Sequence, residues 1–268
     1  MTAVNAQAEE RLIREAIARG DGAGVRIAVI DSGVDFTHPQ LARLTRRDDV
    51  VVVEDQGMLR VRENTAGDCY GHGTAVAGII HQVAPRAEIG SFRVLGTDFS
   101  AHSDAVRVAA FEAIERGYQI LNVSIGCART SQVLKYKDWV DRAYLREVHV
   151  VSACNNHNYR RVEWPGHFTS VNTVNFTVRQ GGDGIYFQEN SLVEFACGGV
   201  AVRVPWLGHG EKVQTGSSFS APRVVGWIAR LISCRPDLDV LEVKAALRDM
   251  ARRAADPTAG NPNETLHE

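Results

Sequence analysis

The feature that most restricts the fold is an alternation. Short apolar runs, each closed by a turn, alternate with longer segments of helical periodicity. Residues 24–31 are the first such run and end at Asp31-Ser32-Gly33. A short, continuously apolar run of this kind suits a strand covered on both faces. Further strands are expected at 87–95, 120–124, 148–153, 171–178, 192–195 and 200–204. Helices are expected at 72–82, 103–116, 131–147, 218–233 and 239–252. Parallel strands need crossover connections, and the crossovers place helices on the sheet. The expected architecture is therefore α/β, a mostly parallel central sheet with helices on both faces. Two apolar stretches, 50–53 and 58–61, flank Gly57 and read as a hairpin.

Composition narrows the class. The 268 residues are 44% hydrophobic and 23% charged, enough for one large domain with a substantial core. Lys plus Arg number 30 and Asp plus Glu 32, so no charge excess favours nucleic acid or a membrane surface as partner. No apolar run approaches the roughly 20 residues of a membrane-spanning helix. Residues 1–22 read as a helical segment preceding or packed on the domain, amphipathic over 5–18 with Ala8, Leu12, Ile13, Ala16 and Ile17 on one side. That segment lacks the apolar core of a secretion signal. The five cysteines are odd in number and scattered, which argues against a disulfide framework. A cytoplasmic location is the expectation. Residues 256–268 are rich in Pro, Asn and Glu and are expected to be disordered. The oligomeric state stays open.

Three segments carry chemistry. Asp31 follows the first strand; His72 lies in Gly71-His72-Gly73-Thr74; Ser218 lies in Gly216-Ser217-Ser218-Phe219-Ser220-Ala221-Pro222. Taken singly, each has an ordinary reading: a turn carboxylate, a structural histidine, a helix cap. Taken together they supply a nucleophile, a base and an orienting carboxylate. Their type, order and local context resemble the subtilisin-like serine proteases, the subtilases. The resemblance runs from about residue 24 to about residue 251.

The resemblance implies a three-layer subtilisin-like fold, with 23–255 as the catalytic domain. Asp31, His72 and Ser218 would form the triad. The stretch 150–155 resembles the family's strand ending in Ala-Gly-Asn, so Asn155 would donate to the oxyanion, with the Ser218 backbone N–H as second donor. Asn122-Val123-Ser124-Ile125-Gly126 resembles the segment that binds a peptide substrate as an added strand, through Ser124, Ile125 and Gly126. A second edge is expected near Phe99 and Ser100. Ser152 and Cys154 would border the pocket for P1, the substrate residue before the scissile bond. Trp164-Pro165-Gly166 resembles the motif just beyond that pocket, which puts Glu163 at its floor. A carboxylate there favours Lys or Arg at P1, unless Arg160 or Arg161 neutralises it. The loop that carries calcium ligands in subtilisins is missing after residue 82, and Gln40 replaces a usual Asp, so no metal or cofactor is expected.

The functional expectation is a serine endopeptidase performing limited processing of a peptide or protein precursor inside the cell. The alternatives are a peptide macrocyclase on the same fold and a peptide-binding pseudoenzyme.

Overall fold

Alternation along a single strand divides the core into two. In β1 (Arg26–Asp31), Ile27 and Val29 enter one buried cluster while Ala28 and Ile30 enter another on the opposite face. Successive side chains of a strand point to opposite faces, so an apolar run of this length feeds two cores. The computed structural model describes residues 3–177 and 184–254. Over those residues the expected three-layer α/β arrangement is what is found.

The central sheet has nine strands. After β1 come β2 (Thr45–Asp55), β3 (Met58–Glu63), β4 (Glu88–Arg93), β5 (Ile120–Val123), β6 (His149–Ala153), β7 (Asn172–Thr177), β8 (Tyr186–Phe187) and β9 (Phe195–Gly198). Their spatial order is β3-β2-β4-β1-β5-β6-β7-β9-β8. The strands between the two edges run parallel; β3 and β8 close the edges antiparallel. From β1 the chain lays β2 and β3 on one side, inserts β4 between β2 and β1, then crosses to build from β5 on the other side. The crevice at such a reversal, beyond the carboxyl ends of the strands, is where open α/β sheets place their sites. Asp31 stands at that end of β1.

Among the described residues six helices cover the sheet: α1 (Ala3–Arg19), α2 (His72–Val83), α3 (Ser103–Glu115), α4 (Val133–Leu145), α5 (Ala221–Cys234) and α6 (Val240–Ala254). One buried cluster takes α2, α5 and α6; the other takes α3 and α4. Ile80 of α2 and Ile228 of α5 are completely buried. Truncating either to Ala costs about 2–5 kcal/mol. The α1 helix packs on α5. Arg230 of α5 donates to the carbonyls of Ile17 (2.6 Å) and Ala18 (2.8 Å) at the end of α1, and to Val83 O (3.1 Å) at the end of α2. One cation thereby satisfies the orphan carbonyls of two helix ends.

Four expectations need correction. Leu12 is 47% exposed and lies off the buried stripe of α1, which Ile13 and Ala16 carry. The strand expected at 192–195 begins only at Phe195, where pairing with Val174 of β7 and Phe187 of β8 starts. The strand at 200–204 becomes β10 (Val202–Trp206) and leaves the main sheet to pair with β11 (Gly210–Gln214). The helix expected over 131–147 opens with a single 3-10 turn, Thr130–Gln132, before α4. Residues 178 and 256–268 lie outside the described residues.

Candidate active site

The site starts from a close approach between β1 and α2. Gly73 makes it possible: a Cβ there would sit 2.0 Å from the carbonyl oxygen of Gly33 and 3.2 Å from Cβ of Asp31. With no side chain in the way, His72 at the head of α2 reaches Asp31. Its Nδ1 lies 2.8 and 2.9 Å from the two carboxylate oxygens. Asp31 Oδ1 also accepts the Ser32 N–H at 2.7 Å, and Asp31 is completely buried. A carboxylate only accepts, so Nδ1 carries the proton and Nε2 is left as the acceptor.

A residue the sequence reading passed over holds this pair. Gly71, at the entry to α2, has φ 105° and no capping side chain. Asp68 does the capping. Its Oδ1 accepts the N–H of Tyr70 (2.9 Å), the N–H of Gly71 (2.8 Å) and the Ser32 hydroxyl (2.8 Å). Its Oδ2 accepts the N–H and hydroxyl of Thr74, at 2.9 and 2.6 Å. Ser32 Oγ in turn accepts the Gly73 N–H at 3.0 Å. An acid just before a helix start was the available signal.

The imidazole is buried and roofed by aromatic rings. Phe99 meets it edge-on at 5.0 Å and stacks on Tyr70 at 4.4 Å. Phe99 sits at φ 57° and is 40% exposed, so it faces both His72 and solvent. Burial works against protonation of His72. The charge and hydrogen bond of Asp31, with a contribution from Asp68, outweigh it and hold the pKa above the ordinary imidazole value.

Ser218 lies in the 3-10 turn Ser217–Phe219, directly before α5 rather than as its first residue. Its neighbour Phe219 packs its ring against His72 at 5.4 Å, which brings the serine's segment to the imidazole.

The opposite wall departs from expectation at the asparagines. Asn155 donates its amide to Glu163 Oε1 at 2.8 Å, and its carbonyl oxygen accepts the N–H groups of His157 and Asn158. The adjacent Asn156 is the one against the segment that carries Ser218. Its Oδ1 accepts both the N–H and the hydroxyl of Ser217, each at 2.8 Å. That pins the carbonyl end and leaves the Asn156 amide near Gly216, with no hydrogen bond among the described residues. The sequence reading names Asn155; two consecutive asparagines do not reveal in sequence which of them faces Ser217.

The other proposed wall residues divide. Ser124, Ile125 and Gly126 leave the end of β5 toward solvent, with the Ser124 hydroxyl held by the Asn122 amide at 3.1 Å. Ser100 lies on the exposed loop beside Phe99, bonded to Asp98. Ser152 is completely buried and cannot border the cleft. Cys154 points its thiol inward to Asn175 Oδ1 at 3.3 Å and gives the site only its carbonyl, 2.7 Å from Ser217 Oγ, which shares that hydroxyl's single proton with Asn156 Oδ1. Burial pushes that thiol up to about 12. Gln40 donates its side-chain amide to Glu211.

This geometry agrees with the likeness to known proteins. A subtilisin of Bacillus sp. (strain TA39) is 26% identical over 262 residues, covering 85% of this chain and 61% of that protein. The chain thus spans less than two thirds of that relative. Subtilisin BL of Lederbergia lenta is 26% identical over 239 residues, 86% of this chain and 84% of that protein. Among solved structures, a cold adapted subtilisin-like serine proteinase superposes with TM-score 0.72 at 24% identity, covering 91% of this chain and 87% of that one. Sphericase gives 0.71 at 23%, covering 88% of each chain. The pattern of the subtilase family matches residues 22–265. The chain belongs to the subtilase family, a family of subtilisin-like serine endopeptidases.

Proposed function

We propose that this chain cleaves peptide bonds through an acyl-enzyme, with Ser218 as nucleophile, His72 as base and Asp31 as its orienting carboxylate. The observation that carries the reading is the buried contact of His72 Nδ1 with both oxygens of Asp31, 2.8 and 2.9 Å. It fixes the tautomer in which Nε2 takes the Ser218 proton and later returns it to the leaving amine. The carbonyl oxygen turns anionic as the serine adds. The Asn156 amide and the Ser218 backbone N–H are the donors proposed for it, and one such donor is worth about 3–4 kcal/mol of barrier. The substrate lies extended beside Ser124-Ile125-Gly126.

The role proposed is limited processing of a peptide or protein precursor in a reducing cytoplasmic setting. Its support is that all five cysteines stand as free thiols.

The test is intact mass after exposure to a fluorophosphonate, with Ser218→Ala in parallel. One adduct on the wild type and none on the variant is expected. A folded wild type that takes no adduct overturns the reading and leaves a peptide-binding protein. Product masses from a precursor peptide separate hydrolysis from cyclisation, since a cyclic product is lighter by one water.

A further inference from the structure

Glu163 occupies an unusual position in the cleft. Its neighbour Trp164 pairs antiparallel with Cys127, each N–H donating to the other's carbonyl at 3.0 Å. That pairing lays the Glu163 side chain across Gly126. A Cβ at position 126 would lie 2.8 Å from Glu163 Oε2 and 3.5 Å from Glu163 Cβ. From there the carboxylate spans to Asn155, which holds Oε1 at 2.8 Å. Asn155 in turn precedes Asn156, whose carboxamide touches Ser217 beside the nucleophile. The carboxylate therefore stands between the proposed substrate-binding strand and the loop that flanks Ser218.

No cation of the described residues neutralises it. The candidates named from sequence are accounted for differently. Arg160 lays its guanidinium over the Tyr159 ring at 5.7 Å, and Arg161 is exposed. His167 contacts only the backbone of Glu163. Oε2 carries no hydrogen bond among the described residues. A half-buried carboxylate with one oxygen satisfied and the other aimed at the substrate strand is poorly matched to an apolar or acidic side chain. It is well matched to an ammonium or guanidinium, through a charge-assisted hydrogen bond.

We propose that Glu163, held in place by Asn155, is the specificity-determining residue of this cleft and selects substrates with lysine or arginine at P1. The proposal rests on the endopeptidase reading only for the word substrate; the cation site itself stands on the geometry of Glu163, Asn155 and Gly126. The side chain would enter beside Ile125-Gly126 and place its charge at Oε2, while Asn155 keeps Oε1 from swinging into solvent.

Two measurements test it. The first compares kcat/KM for peptides that differ only in arginine or citrulline at P1, which share shape and differ in charge. The wild type should prefer arginine by roughly 10- to 100-fold. In Glu163→Gln the ratio should fall to near one, and in Asn155→Ala it should fall part of the way. Equal use of citrulline by the wild type, or a preference surviving in Glu163→Gln, overturns the proposal. The second measurement needs neither turnover nor a variant: calorimetric binding of benzamidine against neutral benzamide to the wild type. Preferential binding of benzamidine supports the cation site; equal or no binding overturns it. Failure of fluorophosphonate labelling with benzamidine still bound would sink the endopeptidase reading and leave the cation site standing.

Discussion

The two walls of the cleft are held together in different ways. The Asp31–His72 wall is completed within buried backbone and side chains: Asp31, Ser32, Asp68, Gly73 and Thr74 bond to one another with almost nothing left for solvent. The Asn155–Glu163 wall is a loop of exposed asparagines and arginines, held by side chains that reach across to Ser217 and Gly126. The first wall must keep one proton-transfer geometry. The second, which on the proposed reading meets the substrate, keeps unspent hydrogen-bonding groups. Chemistry is over-determined where it is buried, and recognition is left under-satisfied where it faces solvent.

The largest expected effect tests the buried wall. Asp31→Asn should preserve the fold and lower kcat by about 10⁴, because the tautomer of His72 is no longer fixed. A steady-state loss under tenfold would mean that Asp31 does not orient the base.

Next comes the register of the asparagines. Asn156→Ala should cost about 10²–10³ in kcat with KM little changed, the signature of a donor used only in the transition state. Asn155→Ala should change kcat by less than about tenfold and act mainly on P1 selectivity. The reverse pattern in steady-state kinetics would restore Asn155 as the oxyanion donor.

Asp68 gives a smaller and more diagnostic shift. His72 must be neutral to act as base, and its pKa is held above the ordinary value near 6.5. The acid limb of kcat/KM should therefore have its midpoint above pH 6.5. Asp68→Asn removes one of the charges that raise it, so the midpoint should move to lower pH while the Tm falls by several degrees. An unmoved limb with a lowered Tm would reduce Asp68 to a helix cap.

The smallest effect lies away from the cleft. Burial pushes His149 in β6 down to about 4, so the folded protein keeps it neutral where the unfolded chain would bind a proton. That difference favours unfolding as pH falls from about 6.5 toward 4. Denaturant titrations should show stability declining across that window, with a shallower decline in His149→Gln. Parallel curves would assign the decline to other groups.

Much of this molecule was legible in its sequence. Asp31, His72 and Ser218 announce themselves because each sits in a short glycine-marked segment whose geometry is local. β1, α2 and α5 follow from apolar periodicity for the same reason. What escaped depends on partners far along the chain. β11 is polar and exposed, and exists only because β10 lies beside it. Ser152 looked like a cleft residue until the sheet buried it, and Cys154 until its thiol found Asn175.

By itself the sequence determined the layer architecture and singled out Asp31, His72 and Ser218 as candidates, since periodicity and glycine placement act over a few neighbouring residues. Only the tertiary structure decided which of two adjacent asparagines faces Ser217, that Asp68 clamps the histidine's helix, and that Glu163 turns its carboxylate across Gly126. Those choices rest on contacts between segments as far as 36 residues apart for Asp68 and Ser32 and 61 for Asn156 and Ser217, once packing and hydrogen-bond satisfaction bring them together.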